Sequence, residues 1–203
     1  VSDNDRRAEF AERYPGAIIL PYQGAWPVIA ENAFIAPTAV VIGNVTIGAE
    51  TSIWFHTVVR GDIARIAIGD RSNVQDLTLV HVNADAPVVI GSDVTIGHSA
   101  IIHGTVIRDR ALIGMGAIVM SYTQIGAEAT IAAGALVAER VVVPDGAVMI
   151  GVPAKERSRL DERQREHLAA IHGRYVSVSQ RYKEELGKMK MDEYAKGSSP
   201  RGD

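Results

Sequence analysis

The chain has 203 residues, 47% of them apolar, enough for one domain with a sizeable core. Its net charge is −3 and the basic residues form no long block, which argues against a nucleic-acid partner. Cysteine is absent, in keeping with a reducing compartment, and no run approaches the roughly 20 apolar residues of a membrane helix. Val1-Ser-Asp-Asn-Asp-Arg-Arg7 carries no secretory-type apolar run, so the expectation is a soluble, cytoplasmic protein with no membrane partner.

Residues 1–33 read as an irregular lead-in, interrupted by Pro15, Pro21 and Pro27. Over residues 34–155 an aliphatic residue then recurs at every sixth position. The first run is Ile35, Val41, Ile47, Ile53 and Val59. A three-residue slip leads to Ile68, Val74 and Val80, and an insertion around Val82 to Val89 leads to Ile90, Ile96 and Ile102. After a one-residue deletion come Ile107, Ile113, Val119, Ile125, Ile131, Val137 and Val143. Small residues often follow, as in Ile47-Gly48 and Ile113-Gly114. A period of six fits neither a helix of 3.6 residues per turn nor simple strand alternation. It suits a chain wound around a triangular prism with a short strand and a bend per six residues, about six coils in all: a mainly β fold, the parallel β-helix.

From about Ser158 the spacing changes to three and four residues: Leu160, Leu168, Ile171, Tyr175, Val178, Tyr182, Leu186 and Met189. This predicts a C-terminal α-helix over 156–189, started by Ser158 with Asp161 and packed on the prism. Residues 190–203 read as a disordered tail, and the closing Arg201-Gly202-Asp203 as a chance tripeptide.

The repeat also places the histidines. If Ile68, Val74 and Val80 occupy the three sides of one coil, Ile90, Ile96 and Ile102 occupy the same sides of the next. His81 and His103, each following such a residue, then stack at about 4.8 Å, with Arg60 on the same row. His98 falls on another side, above Asp76 and on the order of 10–15 Å from the pair. Two stacked imidazoles can share a metal at roughly 2.0–2.1 Å each. A neighbouring subunit docked edge to edge could add its own His98, and three prisms about a three-fold axis would make three such sites, each with an open position. Nothing pairs His56, His167 or His172 in this register, and they read as surface or interface residues.

Val59-Arg60-Gly61-Asp62, Asn73-Val-Gln-Asp76, Val80-His81 and Ile96-Gly-His98-Ser-Ala-Ile-Ile-His103 resemble the γ-class carbonic anhydrases, closest to their short-loop bacterial branch. The resemblance covers nearly the whole chain, through Gly151-Val-Pro-Ala154 and the C-terminal helix. It implies left-handed winding and a cytoplasmic homotrimer with zinc, sometimes iron or cobalt, at each interface. It also implies reversible hydration of carbon dioxide to bicarbonate by a metal-bound hydroxide. His81 and His103 match the two ligands from one chain, and His98 the one supplied across the interface. Gln75 matches the residue that hydrogen-bonds the hydroxide, and Asn73 a second polar group of the pocket. Arg60, Asp62 and Asp76 match an ion-pair network between subunits; for Asp62 and Asp76 structural and catalytic roles both stay open. Tyr175 resembles a tyrosine lining the pocket in short-loop relatives.

Two departures bear on turnover more than on metal binding. Ile63 stands where the best-known members have a glutamate, and the loop Val82–Val89 has Asp85 as its sole acid. Asp85 is a candidate proton shuttle or a turn residue beside Pro87. Two other functions share this architecture: an acyltransferase using acyl-coenzyme A, with histidine as general base, and a metal-binding assembly subunit with little hydratase activity.

Overall fold

A computed structural model describes residues 2–188. The tail over 190–203, with its Arg-Gly-Asp, and Met189 lie outside the described residues. Residues 18–151 wind into a parallel β-solenoid of about seven turns, followed by a C-terminal helix. Every aliphatic residue at the sixth positions of the repeat, from Ile35 to Val143, is buried in the core and at most 3% exposed. The expected register holds: Ile68 pairs with Ile90, Val74 with Ile96 and Val80 with Ile102.

One face carries Phe34–Ile35, Ser52–Ile53, Asn73–Val74, Thr95–Ile96, Leu112–Ile113, Thr130–Ile131 and Ala147–Gly151, coil upon coil. A second carries Leu79–His81, Ile101–His103, Ile118–Val119 and Leu136–Val137. The third carries Val88–Ile90, Val106–Ile107, Gln124–Ile125 and Val142–Val143. The long strands Val40–Ile47 and Val58–Ile68 turn the corner between the second and third faces.

Burying an Ile or Val side chain contributes about 1.5–3 kcal/mol, so the stacked column supplies most of the stabilisation. The small residues after the aliphatic positions follow from the backbone's approach: a Cβ on Gly69 would stand 2.7 Å from the backbone of Gly91, one coil on. Corners are built from residues in the left-handed region, among them His56, Leu77 and Ser99 with φ near +60°. Their strain is compensated by a ladder between coils, in which the Leu77 amide donates to the Phe55 carbonyl and the Ser99 amide to the Asp76 carbonyl. Because these ladders hold each coil at strand spacing, a methyl removed from the column leaves a void that cannot close. Ile96→Val is expected to cost about 0.5–1.5 kcal/mol with an unchanged denaturant slope, measured by chemical unfolding.

The lead-in is more ordered than the prolines suggest. Helix α1, Asp3–Arg13, starts with a reciprocal capping box between Ser2 and Asp5 and ends before Pro15. It buries no residue of its own; Phe10 stacks on Trp26 at 6.0 Å, and the Trp26 indole donates to Asp3 at 2.7 Å. Ile18–Leu20 and Val28–Ile29 then pair with Val40–Ile47 and open the solenoid ahead of residue 34.

At the other end, Ala154–Arg159 pairs antiparallel with Ala147–Gly151, so Ser158 lies in a strand rather than at a helix start. Helix α2, Glu162–Lys188, begins at Asp161, whose carboxylate accepts from the Gln164 amide at 2.8 Å while Gln164 accepts from the Asp161 amide at 2.9 Å. It continues unbroken through Gly173 and covers the first face, where Tyr175, Val178 and Leu186 pack on Phe34, Ala36 and Trp54. Among the described residues, no helix is long and apolar enough to cross a membrane.

Candidate metal centre

The second face brings His81 and His103 together. Arg60 pairs with His81 and His81 with His103 in strand register, so the three side chains share one outward row. Nδ1 of His81 stands 3.1 Å from Nε2 of His103. Two ligands at 2.0–2.1 Å in a tetrahedral site are separated by about 3.3 Å, so the gap matches a shared ion.

The outer nitrogens explain why the inner ones face each other. His81 Nε2 lies 2.9 Å from Asp62 Oδ1, and Asp62 also pairs with Arg60. Burial would raise the Asp62 carboxyl, but hydrogen bonds from His81 and Arg60 outweigh it and hold the group below the usual carboxylate range. An ionised carboxylate only accepts, so the His81 proton sits on Nε2 and Nδ1 presents a lone pair. His103 Nδ1 lies 2.9 Å from the Ser121 hydroxyl, which also accepts from the Asn83 amide at 3.0 Å. That hydroxyl can donate or accept. When it accepts, His103 Nε2 is a second lone pair aimed at the first, and only a cation can occupy the space between them. Burial, then the charges of His81 and Arg60, push the His103 pKa down and favour the neutral, ligating ring.

His98 does not join them within one chain. It lies at a corner of the solenoid, is 44% exposed, and its Nδ1 is 2.8 Å from Asp76 Oδ2. Asp76 thus stands beneath it as the register requires, and the ring's Nε2 faces away. Among the described residues of one chain, no group of three or more His, Cys, Asp or Glu residues forms a metal cluster. The three imidazoles share one device, an outer nitrogen held by a carboxylate or hydroxyl, which orients metal-ligating histidines.

Gln75, Asn73 and Tyr175 gather under α2. Gln75 is 4% exposed and its backbone carbonyl accepts from Thr57 at 2.8 Å. Its amide nitrogen donates to Asn73 Oδ1 at 3.0 Å. The Tyr175 ring meets Trp54 edge-on at 5.8 Å, and its hydroxyl pKa is raised, first by burial and then by the charge of Asp76, with the Gln75 side chain opposing. Asp85 accepts from the Tyr122 hydroxyl at 2.9 Å within the short bridged turn Asn83–Ala86, as a turn residue does.

His172 corrects the sequence expectation. It lies on α2 as expected, but only 4% exposed, with Nδ1 2.8 Å from the Thr95 hydroxyl. Burial first, and the Arg110 charge, lower its pKa, while the Arg110 backbone and Asp93 act the other way. A histidine with a depressed folded pKa makes the unfolded chain the better proton acceptor, so stability is lost as pH falls below about 6.5. Melting curves between pH 7 and 5 should show this loss, and His172→Asn should reduce it, leaving the part that His103 contributes through its own depressed pKa. Ser121 and Thr95 were also missed, since single hydroxyls in a Ser- and Thr-rich repeat carry no spacing signal; His56 and His167 are exposed.

Comparisons with known proteins bear on the fold and the family. The model of the bacterial transferase hexapeptide repeat matches residues 27–61, and that of the succinyl-transferase hexapeptide repeat matches 87–121. A Bacillus cereus crystal structure assigned as an acetyltransferase superposes with a TM-score of 0.82 at 41% identity, covering 83% of this chain and 98% of that one. Gamma carbonic anhydrase 2 of Arabidopsis thaliana mitochondria is 38% identical over 80% of this chain, which spans only 60% of that protein. A carbonic anhydrase of Geobacillus kaustophilus is 43% identical, covering 82% of this chain and 91% of that one. With this identity over nearly the full length of a bacterial relative, the chain belongs to the γ-class carbonic anhydrase family.

Proposed function

We propose that this protein catalyses the reversible hydration of carbon dioxide at metal sites shared between the subunits of a homotrimer. The observation that carries the reading is the facing pair, His81 Nδ1 and His103 Nε2 at 3.1 Å, each with its outer nitrogen held. Neutral imidazoles at this spacing suit zinc, and iron or cobalt by the same donor set. His81 and His103 would hold the ion together with His98 of the partner subunit. A partner is also favoured by apolar surface on that side: Leu79 and Ile101 pair in register beside the two histidines, 36% and 37% exposed, and Leu77 and Met115 are more exposed still.

A zinc ion held by three neutral ligands supplies Lewis acidity that brings the pKa of a water to about 7, fit for adding to carbon dioxide. The chain's own residues do the rest. Asn73 fixes the Gln75 amide, which orients the attacking oxygen; Arg60 places positive charge where bicarbonate forms; Asp62 and Asp76 orient His81 and His98; Tyr175 closes the pocket beside Gln75.

Purified protein should carry one metal ion per chain and hydrate carbon dioxide in stopped-flow assays, with activity lost on chelation and restored by zinc. The match to transferase repeats favours acyl transfer as a second reading. Acyl transfer from acetyl-coenzyme A by metal-free protein would establish it in place of hydration, and bound metal without hydration would favour an assembly role.

A further inference from the structure

We infer that His172 on α2 is a positioning residue for Gln75, acting through Thr95 and Asn73 along a one-directional chain of buried hydrogen bonds. The inference rests on the hydratase reading for its kinetic consequence, but not for its geometry.

Four side chains from three segments line up. Gln75 Nε2 donates to Asn73 Oδ1 at 3.0 Å, Asn73 Nδ2 donates to Thr95 Oγ1 at 2.8 Å, and Thr95 Oγ1 lies 2.8 Å from His172 Nδ1. Asn73, Gln75, Thr95 and His172 are all at most 4% exposed, so no solvent competes. Asn73 and Thr95 are register partners on neighbouring coils, while His172 comes from the helix laid over that face.

The direction follows from counting protons. A threonine hydroxyl that accepts from Asn73 has one proton left to give. His172 Nδ1 is the atom that takes it, so Nδ1 is unprotonated and the neutral ring carries its proton on Nε2. That nitrogen has no hydrogen-bond partner among the described residues. With His172 accepting, each amide in the chain has one permitted orientation, and Gln75 turns its oxygen away from Asn73. If His172 donated from Nδ1, the hydroxyl and both amides would reverse, and Gln75 would present its NH2 instead. The lone pair of one helical histidine therefore selects whether Gln75 offers an acceptor or a donor to the group it orients in the proposed reaction. The same network ties the solenoid face bearing Asn73 and Gln75 to α2.

Two readouts test this. Nitrogen-15 NMR of His172 should show Nε2 protonated and Nδ1 bare at neutral pH, with slowly exchanging Asn73 and Gln75 amide protons that become fast in Thr95→Val. In zinc-loaded protein, Thr95→Val and His172→Phe should lower kcat for carbon dioxide hydration roughly three- to ten-fold with metal content unchanged, the effect of one buried hydrogen bond. Thr95→Ser and His172→Asn, which keep the hydroxyl and an acceptor near Nδ1, should restore it. In a Gln75→Ala background His172→Phe should have no further effect on kcat. A His172 protonated on Nδ1, or an equal loss in that background, would overturn the inference. Should wild-type protein bind zinc but fail to hydrate carbon dioxide, the proposed function falls, and the tautomer and amide exchange still decide the relay.

Discussion

His98→Ala is expected to empty the metal site and lower carbon dioxide hydration on the order of a thousandfold, since the ion generates the nucleophile. The reason is geometric. His98 sits on a corner with its Nδ1 committed to Asp76, while His81 and His103 face each other on the neighbouring side of the prism. Two imidazoles alone leave a tetrahedral ion half-coordinated, and on the proposed reading the third comes from another chain. Two inactive variants should therefore rescue each other. Mixing His98→Ala with His81→Ala under exchange conditions puts an intact pair beside an intact third ligand at about a quarter of interfaces, as random assembly of a cyclic oligomer requires. Metal content and hydration should both return to about that fraction. Rescue in neither measurement would mean that each chain builds its site alone.

Asp62→Leu should weaken zinc binding about 10- to 100-fold, the usual cost of losing the group that orients a metal-bound histidine. Asp62 accepts from His81 Nε2 at 2.9 Å and so keeps the lone pair on Nδ1, facing His103. Without the carboxylate the proton is free to move to Nδ1 and block the gap, and Arg60 loses its partner. Competition with a chromogenic chelator measures the affinity. Asp62→Asn is the sharper variant: its amide can donate to Nε2 and hold the non-ligating tautomer, so it should bind zinc no better than Asp62→Leu. Wild-type affinity in both would show that Asp62 serves only the ion pair with Arg60.

Much of the fold was legible because one physical constraint repeats. Each side of the prism carries one large inward aliphatic side chain per six residues, with a small residue such as Ala111, Ala117 or Ala129 buried two positions before it. Counting the aliphatic residues therefore recovers the core and the stacking of His81 on His103 without knowledge of the turns. Asp76 beneath His98 came from the same count and is seen at 2.8 Å. What the count could not reach lies outside the period. Helix α1 carries no buried residue and so no strong apolar stripe; its one signal was Ser2 with Asp5, three residues apart. The start of α2 was set one turn early because Asp161 with Gln164, not Ser158 with Asp161, forms the cap. His172 read as a surface or interface residue because its partner Thr95 is 77 positions away, joined to it by the packing of a helix on a sheet that no local pattern records.

The most direct measurement is an anomalous difference map at the zinc edge from crystals of the zinc-loaded protein. The account predicts one peak per chain between His81 Nδ1 and His103 Nε2, within about 2.0–2.1 Å of each, with His98 of the partner subunit as the third ligand. A peak coordinated within a single chain, or none between those two rings, would contradict it.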